Sequence, residues 1–277
     1  MKHLVLGGTG TVGSLVVAGL LAKGETVRVL TRDAERGKKL PKGATPVIGD
    51  LANPDTYAGI FTDYDTVFLL IANGPTDLLE GLAAVNEARR TGAKRVVHLS
   101  IQDLEKGREL PHFASKIAVE AALKDHGVPH TILRPNNFYQ NDFWWKDAIV
   151  QYGVYPQPLG SAGVSRVDTR DIADAAVRAL TEGGHLGKTY NLAGPDALTG
   201  PSCAKAFADA LGKKVVYAGD DTAACRLRGV NRCGGRRRDV APLRIHHVLA
   251  NVCGAHRQER SGANVQREPR HFDATGL

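Results

Sequence analysis

Seven residues near the start of the chain, Gly7-Gly8-Thr9-Gly10-Thr11-Val12-Gly13, carry the clearest chemistry. Glycines at the spacing G-x-x-G-x-x-G suit a tight turn from a strand into a helix. Gly7 permits the turn, Gly10 lets backbone approach a pyrophosphate where a Cβ would clash, and Gly13 lets the helix pack close to the strand. The first N–H groups of that helix lack partners within it and would bind phosphate oxygens. The spacing departs slightly from the G-x-G-x-x-G fingerprint. An apolar run before it and a helical pattern after it supply the context that such a motif requires. The chemistry expected is dinucleotide binding, with Gly7, Thr9, Gly10, Thr11, Val12 and Gly13 as the phosphate loop. A second group, Thr31-Arg32-Asp33, follows the next apolar run. A carboxylate there would hold a ribose 2′-hydroxyl, whereas the Arg32 guanidinium suits a 2′-phosphate. Arg32 therefore favours NADP(H), and Asp33 leaves NAD(H) open.

The elements that must position these residues alternate along the chain. Apolar runs at 3–8, 26–30, 45–48, 65–71, 95–100 and 130–135 read as strands. Helical patterns fall at 14–22, 32–42, 77–91 and 112–126, and Gly24, Gly92 and Gly127 read as the residues that end three of them. This alternation predicts an α/β fold, a doubly wound parallel sheet of the Rossmann kind, with right-handed crossovers. After residue 136 the pattern loosens. Phe138, Tyr139, Phe143, Trp144, Trp145, Tyr152 and Tyr155 crowd into one stretch. That stretch reads either as an apolar substrate pocket or as plain core. A helix ending near Leu180, a strand at 188–192, a helix at 199–211 and a strand at 214–217 complete the pattern. The expected organisation is one domain over 1–222, with a small C-terminal substrate lobe from about 136–164 and 195–222.

Composition limits the partners. Residues 1–222 hold 25 Lys+Arg and 25 Asp+Glu, so the net charge of +7 belongs wholly to the last 55 residues. No apolar run is long enough for a membrane span, and four cysteines in 277 residues make no disulfide framework. The start of the chain shows no signal-peptide pattern, and a reduced, cytoplasmic setting is expected.

The glycine loop, Gly49-Asp50-Leu51, the strand ending in Ser100, His112-Phe113-Ala114-Ser115-Lys116 and Thr131-Ile132-Leu133-Arg134-Pro135-Asn136 together resemble the atypical short-chain dehydrogenase/reductases. The NmrA-like branch fits best, over about residues 1–222. The resemblance implies that Asp50 and Leu51 contact the adenine and that Ala72 and Asn73 line the cofactor cleft. It implies that Lys116 bonds the nicotinamide ribose, with Asn136 and Asn137 near the nicotinamide. The family's Tyr-x-x-x-Lys pair is altered, because His112 stands where the tyrosine would be. In the usual pair the ammonium lowers the phenol pKa, so that the phenol exchanges a proton with substrate oxygen. His112 could serve as an acid or base near neutral pH, or it could be a binding or structural residue. Two functional classes follow: an NADPH-dependent oxidoreductase acting on a quinone-like or other small acceptor, and a non-catalytic NADP(H)-sensing regulatory protein that acts through a protein partner.

Residues 223–277 read differently. They hold 11 Arg and no Lys, with Cys225, Cys233 and Cys253 and the triplet Arg236-Arg237-Arg238. The cysteine and histidine spacings lack paired C-x2-C geometry, so no metal site is expected. The triplet lacks accompanying aromatic residues, so nucleic acid is not the expected partner. A frame slip in a GC-rich gene, affecting about 223–265, would give the same enrichment. On any of these readings the segment is a basic tail of uncertain fold.

Overall fold

Short runs of four to six residues, buried in the middle of the sheet and more exposed at its edges, become the strands of one parallel sheet. A computed structural model describes residues 1–160 and 162–219 of the chain. In chain order the elements are β1 (Lys2–Leu6), α1 (Thr11–Ala22), β2 (Thr26–Thr31), α2 (Ala34–Gly37), β3 (Ala44–Ile48), α3 (Tyr57–Ile60), β4 (Thr66–Leu69), α4 (Asp77–Arg90), β5 (Arg95–Leu99), α5 (Pro111–Asp125) and β6 (His130–Pro135). There follow α6 (Lys146–Val150), β7 (Val154–Tyr155), α7 (Thr169–Thr181), β8 (Thr189–Leu192), α8 (Gly200–Leu211) and β9 (Val216–Tyr217). The expectations for the basic tail, including its metal, nucleic-acid and frame-slip readings, lie outside the described residues.

The described chain divides into two units: 1–135 with 169–192, and 136–168 with 193–219. In the first, seven parallel strands run in the order β3-β2-β1-β4-β5-β6-β8. Parallel strands need helical crossovers, and these cover both faces. On one face Leu4, Leu6, Val67, Leu69 and Val96 pack against Ala84, Val85 and Ala88 of α4 and Val119 and Leu123 of α5. On the other, α1 packs against α7. Each face has a glycine where its two helices cross. A Cβ on Gly81 would sit 2.5 Å from Val119 Cγ2, and one on Gly19 would sit 2.9 Å from Val177 Cγ2. Close approach of these helices thus requires the missing side chain. The α/β doubly wound fold expected from the alternation is the fold observed. One boundary differs in a way that matters. Helix α1 starts at Thr11 rather than Ser14, so the end of the glycine motif is its first turn.

The second unit is built around Tyr155. Its ring lies 5.6 Å from that of Phe207 and 6.4 Å from that of Tyr217. Phe143 and Trp145 pack on the same cluster, so that much of the aromatic stretch is core. Trp144 and Tyr152, by contrast, are exposed. The two-residue strands β7 and β9 pair in parallel. They are too short to show periodicity, and β7 has no signal in the sequence. A fully buried Arg166 ties the segment together. Its guanidinium donates to Asp142 Oδ2 at 2.7 Å, to the Phe138 carbonyl at 2.6 Å and to Asn137 Oδ1 at 3.1 Å. Burial pushes the Asp142 carboxyl pKa up, against the pull of this guanidinium.

Candidate functional site

The carboxyl ends of the first unit's strands lie along one edge, and the strand order reverses between β1 and β4. In open parallel sheets the crevice at such a reversal is where ligands bind. The glycine loop leaves β1 at this point. Gly7 has φ +76°, in the left-handed region, and a Cβ there would meet the Leu70 carbonyl oxygen at 2.7 Å. A Cβ on Gly13 would lie 2.1 Å from the Gly7 oxygen, so the helix could not approach the strand. Gly10 differs. Its φ is −88°, and a Cβ would meet only the Gly7 oxygen, at 3.3 Å. Internal packing does not demand a glycine at 10, which leaves open space over the first turn of α1. Gly10 caps that helix without a side-chain hydrogen bond, and no acidic residue lies in the first turn. The N–H groups of Thr11, Val12 and Gly13 therefore face a cradle that a larger residue at 10 would fill. A pyrophosphate fits such a cradle in shape and charge.

Lys116 is the second component. Helix α5 presents it at 4% exposure, and its Nζ donates to the Ile71 carbonyl at 3.3 Å, just past the end of β4. An ammonium has three donors, and no other hydrogen bond to it is seen among the described residues. Burial pushes its pKa down to about 8, while nearby Asp77 pulls the other way. Beneath it lies His98, on β5. His98 Nδ1 sits 3.2 Å from the Leu69 carbonyl, which fits an Nδ1–H donor, and Nε2 is buried without a partner. Burial, with Lys116 close by, drives the His98 pKa down to about 3.

His112 lies one turn before Lys116 on α5. Its Nδ1 is 3.2 Å from Asp77 Oδ2, and the Ser115 hydroxyl donates to the same oxygen at 3.0 Å. Asp77 is the first residue of α4. Its 35-residue separation from His112 hides the pairing in the sequence. Only the adjacency of β4 and β5, with α4 and α5 on one face, brings the two helix starts together. Asp77 was legible as a helix start and not as a site residue. Ser100, at the end of β5, does not face outward. Its hydroxyl donates to Glu120 Oε1 at 2.6 Å, and Arg134 grips that carboxylate through two nitrogens at 3.0 and 2.7 Å. This group is a buried brace between α5 and β6.

Asp50 Oδ1 accepts from the Ala52 N–H at 2.9 Å, and its own N–H donates to Thr56 Oγ1 at 3.1 Å. Leu51 is buried in the core, and its carbonyl accepts from the Tyr57 hydroxyl at 2.7 Å. Both therefore have structural duties in the turn after β3. Ala72 and Asn73 are exposed after β4, between the glycine loop's neighbour Leu70 and Asp77. Arg32 is exposed at the end of β2 and has no ion pair among the described residues. Asp33 is already engaged. Its side chain caps α2 by accepting from the Glu35 N–H at 2.8 Å, and Arg36 lies 3.8 Å away. Asn136 opens the second unit, where its side-chain oxygen accepts from the Asn137 N–H at 2.7 Å.

A parallel sheet in this order, with a glycine turn at its point of reversal and a buried lysine one strand away, defines a Rossmann protein of the short-chain dehydrogenase/reductase type. The chain belongs to the NmrA-like family, whose model matches residues 2–220. It is 33% identical over 221 residues to the NAD(P)H azoreductase of Xenophilus azovorans, covering 77% of this chain and 75% of that protein. Among solved structures it is similar to the triphenylmethane reductase of Citrobacter sp. complexed with NADP(H), at 26% identity and a TM-score of 0.69, covering 78% of each chain. The NADPH-dependent quinone oxidoreductase QOR2 of Escherichia coli, complexed with NADPH, shares the fold. It has 24% identity and a TM-score of 0.74, with 82% of this chain and 83% of that one covered.

Proposed function

We propose that the protein is an NADPH-dependent oxidoreductase that reduces a quinone-like or other small, electron-poor acceptor. The observation that carries this reading is Lys116, an almost fully buried ammonium with spare donors beside the carbonyl of Ile71, just past the end of β4. A structural lysine would be expected to neutralise its charge with a carboxylate. Asp77 is near enough to act on its charge, but no carboxylate among the described residues is in contact with Lys116 and its hydrogen bond goes to a carbonyl oxygen, which leaves it fitted to ligand hydroxyls. The first turn of α1 would hold the pyrophosphate, and Lys116 the nicotinamide ribose. When bound, the reduced nicotinamide supplies a hydride. The azoreductase and the two NADP(H)- and NADPH-bound reductases among its relatives and structural neighbours support a reaction of this kind.

The preference for the 2′-phosphorylated cofactor rests on Arg32 and Asp33. The carboxylate that would hold a 2′-hydroxyl already caps α2, and the guanidinium beside it is uncommitted. Titration with NADPH and NADH, followed by nicotinamide fluorescence, tests this. The native protein is expected to bind NADPH at least about tenfold more tightly, a difference of about 1.4 kcal/mol. Arg32→Ala is expected to abolish the difference with little change in NADH affinity. Equal affinities in the native protein would remove the preference. Binding without NADPH oxidation, across quinones, azo compounds and triarylmethane dyes, would replace the enzyme with the cofactor-sensing alternative.

A further inference from the structure

Asp77 is not accounted for by cofactor binding. Its carboxylate is only 10% exposed, yet Oδ2 receives two side-chain contacts from α5, His112 Nδ1 at 3.2 Å and Ser115 Oγ at 3.0 Å. A carboxylate at a helix start is ordinary, since the helix dipole favours it there. That explanation leaves unexplained why a second helix aims an imidazole and a hydroxyl at one oxygen. Ser115 Oγ also lies 2.9 Å from the His112 carbonyl, a second acceptor for its one hydrogen within its own turn. The hydroxyl is thus shared between the carboxylate and the backbone that carries the imidazole.

The geometry points to Asp77 as the positioning residue for His112, which we propose protonates an acceptor that takes up both a hydride and a proton. This rests on the reductase reading and narrows its substrate class to compounds such as quinones and azo compounds. In either protonation state of the ring, Nδ1–H donates to Asp77 Oδ2. That leaves Nε2 as the atom free to exchange a proton, the same division of labour by which a buried carboxylate orients a catalytic histidine elsewhere. No hydrogen-bond partner of Nε2 is seen among the described residues, and the His112 side chain is 28% exposed. Lys116, one turn on, holds the cofactor on the same helix face. The neighbouring surface suits an apolar acceptor, for Leu78 and Leu79 on α4 and Leu110 before α5 are exposed.

The step balances. The acceptor gains a hydride from the reduced nicotinamide and a proton from His112 Nε2–H. An O–H or N–H bond forms on the acceptor as the Nε2–H bond breaks. Neutral His112, still held through Nδ1–H, then takes a proton from water. A triarylmethane cation differs, because hydride addition alone makes it neutral and no proton is needed.

Two measurements test the assignment. Nitrogen-15 NMR of histidine-labelled protein reads the tautomer of His112 without any acceptor. The native protein is expected to show Nδ1–H, and Asp77→Asn to shift the ring towards Nε2–H. Steady-state NADPH oxidation gives the second readout. With a quinone, Asp77→Asn and His112→Gln are each expected to lower kcat by about 100-fold, the usual scale of general-acid help, with the NADPH Kd within about twofold of native. With a triarylmethane cation the same variants are expected to keep their rates within about threefold. An unchanged tautomer in Asp77→Asn, or equal losses with both acceptors, overturns the Asp77 assignment and leaves the reductase reading standing. No NADPH oxidation by the native protein with any acceptor overturns both.

Discussion

An ammonium at 4% exposure with a carbonyl for its partner is a cost to the folded state unless a ligand occupies its spare donors. Lys116 is charged in the unfolded chain up to its ordinary pKa of 10.5, but only up to about 8 when folded. Between those values the unfolded chain holds the extra proton, so stability rises with pH through that window and the cost is complete below it. Lys116→Met is therefore expected to stabilise the cofactor-free protein at pH 7 by up to about 3 kcal/mol. The gain should shrink between pH 8 and 10.5, and NADPH affinity should fall. Urea denaturation at several pH values checks the first part, and a cofactor titration the second. A destabilised variant would mean that Lys116 is held for the fold.

At the scale of elements, α4 and α5 are joined at two places with different jobs. Near their starts Asp77 and His112 meet. Farther along, Gly81 admits Val119 into the space a side chain would take. Gly81→Ala places a methyl 2.5 Å from Val119 Cγ2, an overlap expected to cost about 1–3 kcal/mol. Val119→Ala in the same chain should recover much of it, giving a non-additive double-mutant cycle in denaturant midpoints. Additive losses would show that the two residues do not meet. The sequence made the strands and long helices plain, since they follow from hydrophobic runs and from glycines such as Gly24, Gly92 and Gly127 at helix ends. It also showed the glycine loop, because all of its residues are consecutive. Asp77 was hidden because its partner is 35 residues away and nothing local distinguishes it from any helix-starting acid. The core role of Phe143, Trp145 and Tyr155 was equally closed to inspection. Aromatic clustering has no period that separates a pocket wall from a packed interior.

For the whole molecule, two buried histidines govern acid sensitivity. Burial lowers the pKa of both His3 and His98, the latter to about 3. Each takes up a proton less readily in the folded protein than in the unfolded chain, which does so below about pH 6.5. The stability His98 confers is complete above that pH and is lost as pH falls towards about 3, at about 1.4 kcal/mol per unit, and His3 adds a loss in the same direction. Between pH 6.5 and 5, before most carboxylates titrate, His98 alone should cost about 1.5 kcal/mol. His98→Asn can keep a donor towards the Leu69 carbonyl and cannot titrate, so its denaturation midpoint should fall less over that interval. An identical fall would place the acid sensitivity elsewhere.

The chain path of the first unit has a consequence for how this protein can be edited. Strand β6 ends at Pro135, yet α7 and β8, which belong to the same unit, come only after residues 136–168. Cutting the gene after Pro135 would strip the cover from one side of α1 and leave β6 an open edge. The nucleotide-binding half is thus not a detachable module. What the topology does permit is a paired exchange: residues 136–168 leave and re-enter the unit at fixed points, and because Tyr155 packs on Phe207 and Tyr217 the foreign segment must come with its own partner for residues 193–219, while the parent sheet stays in place. Recombination among relatives would meet the same rule, with crossovers tolerated in pairs and not singly.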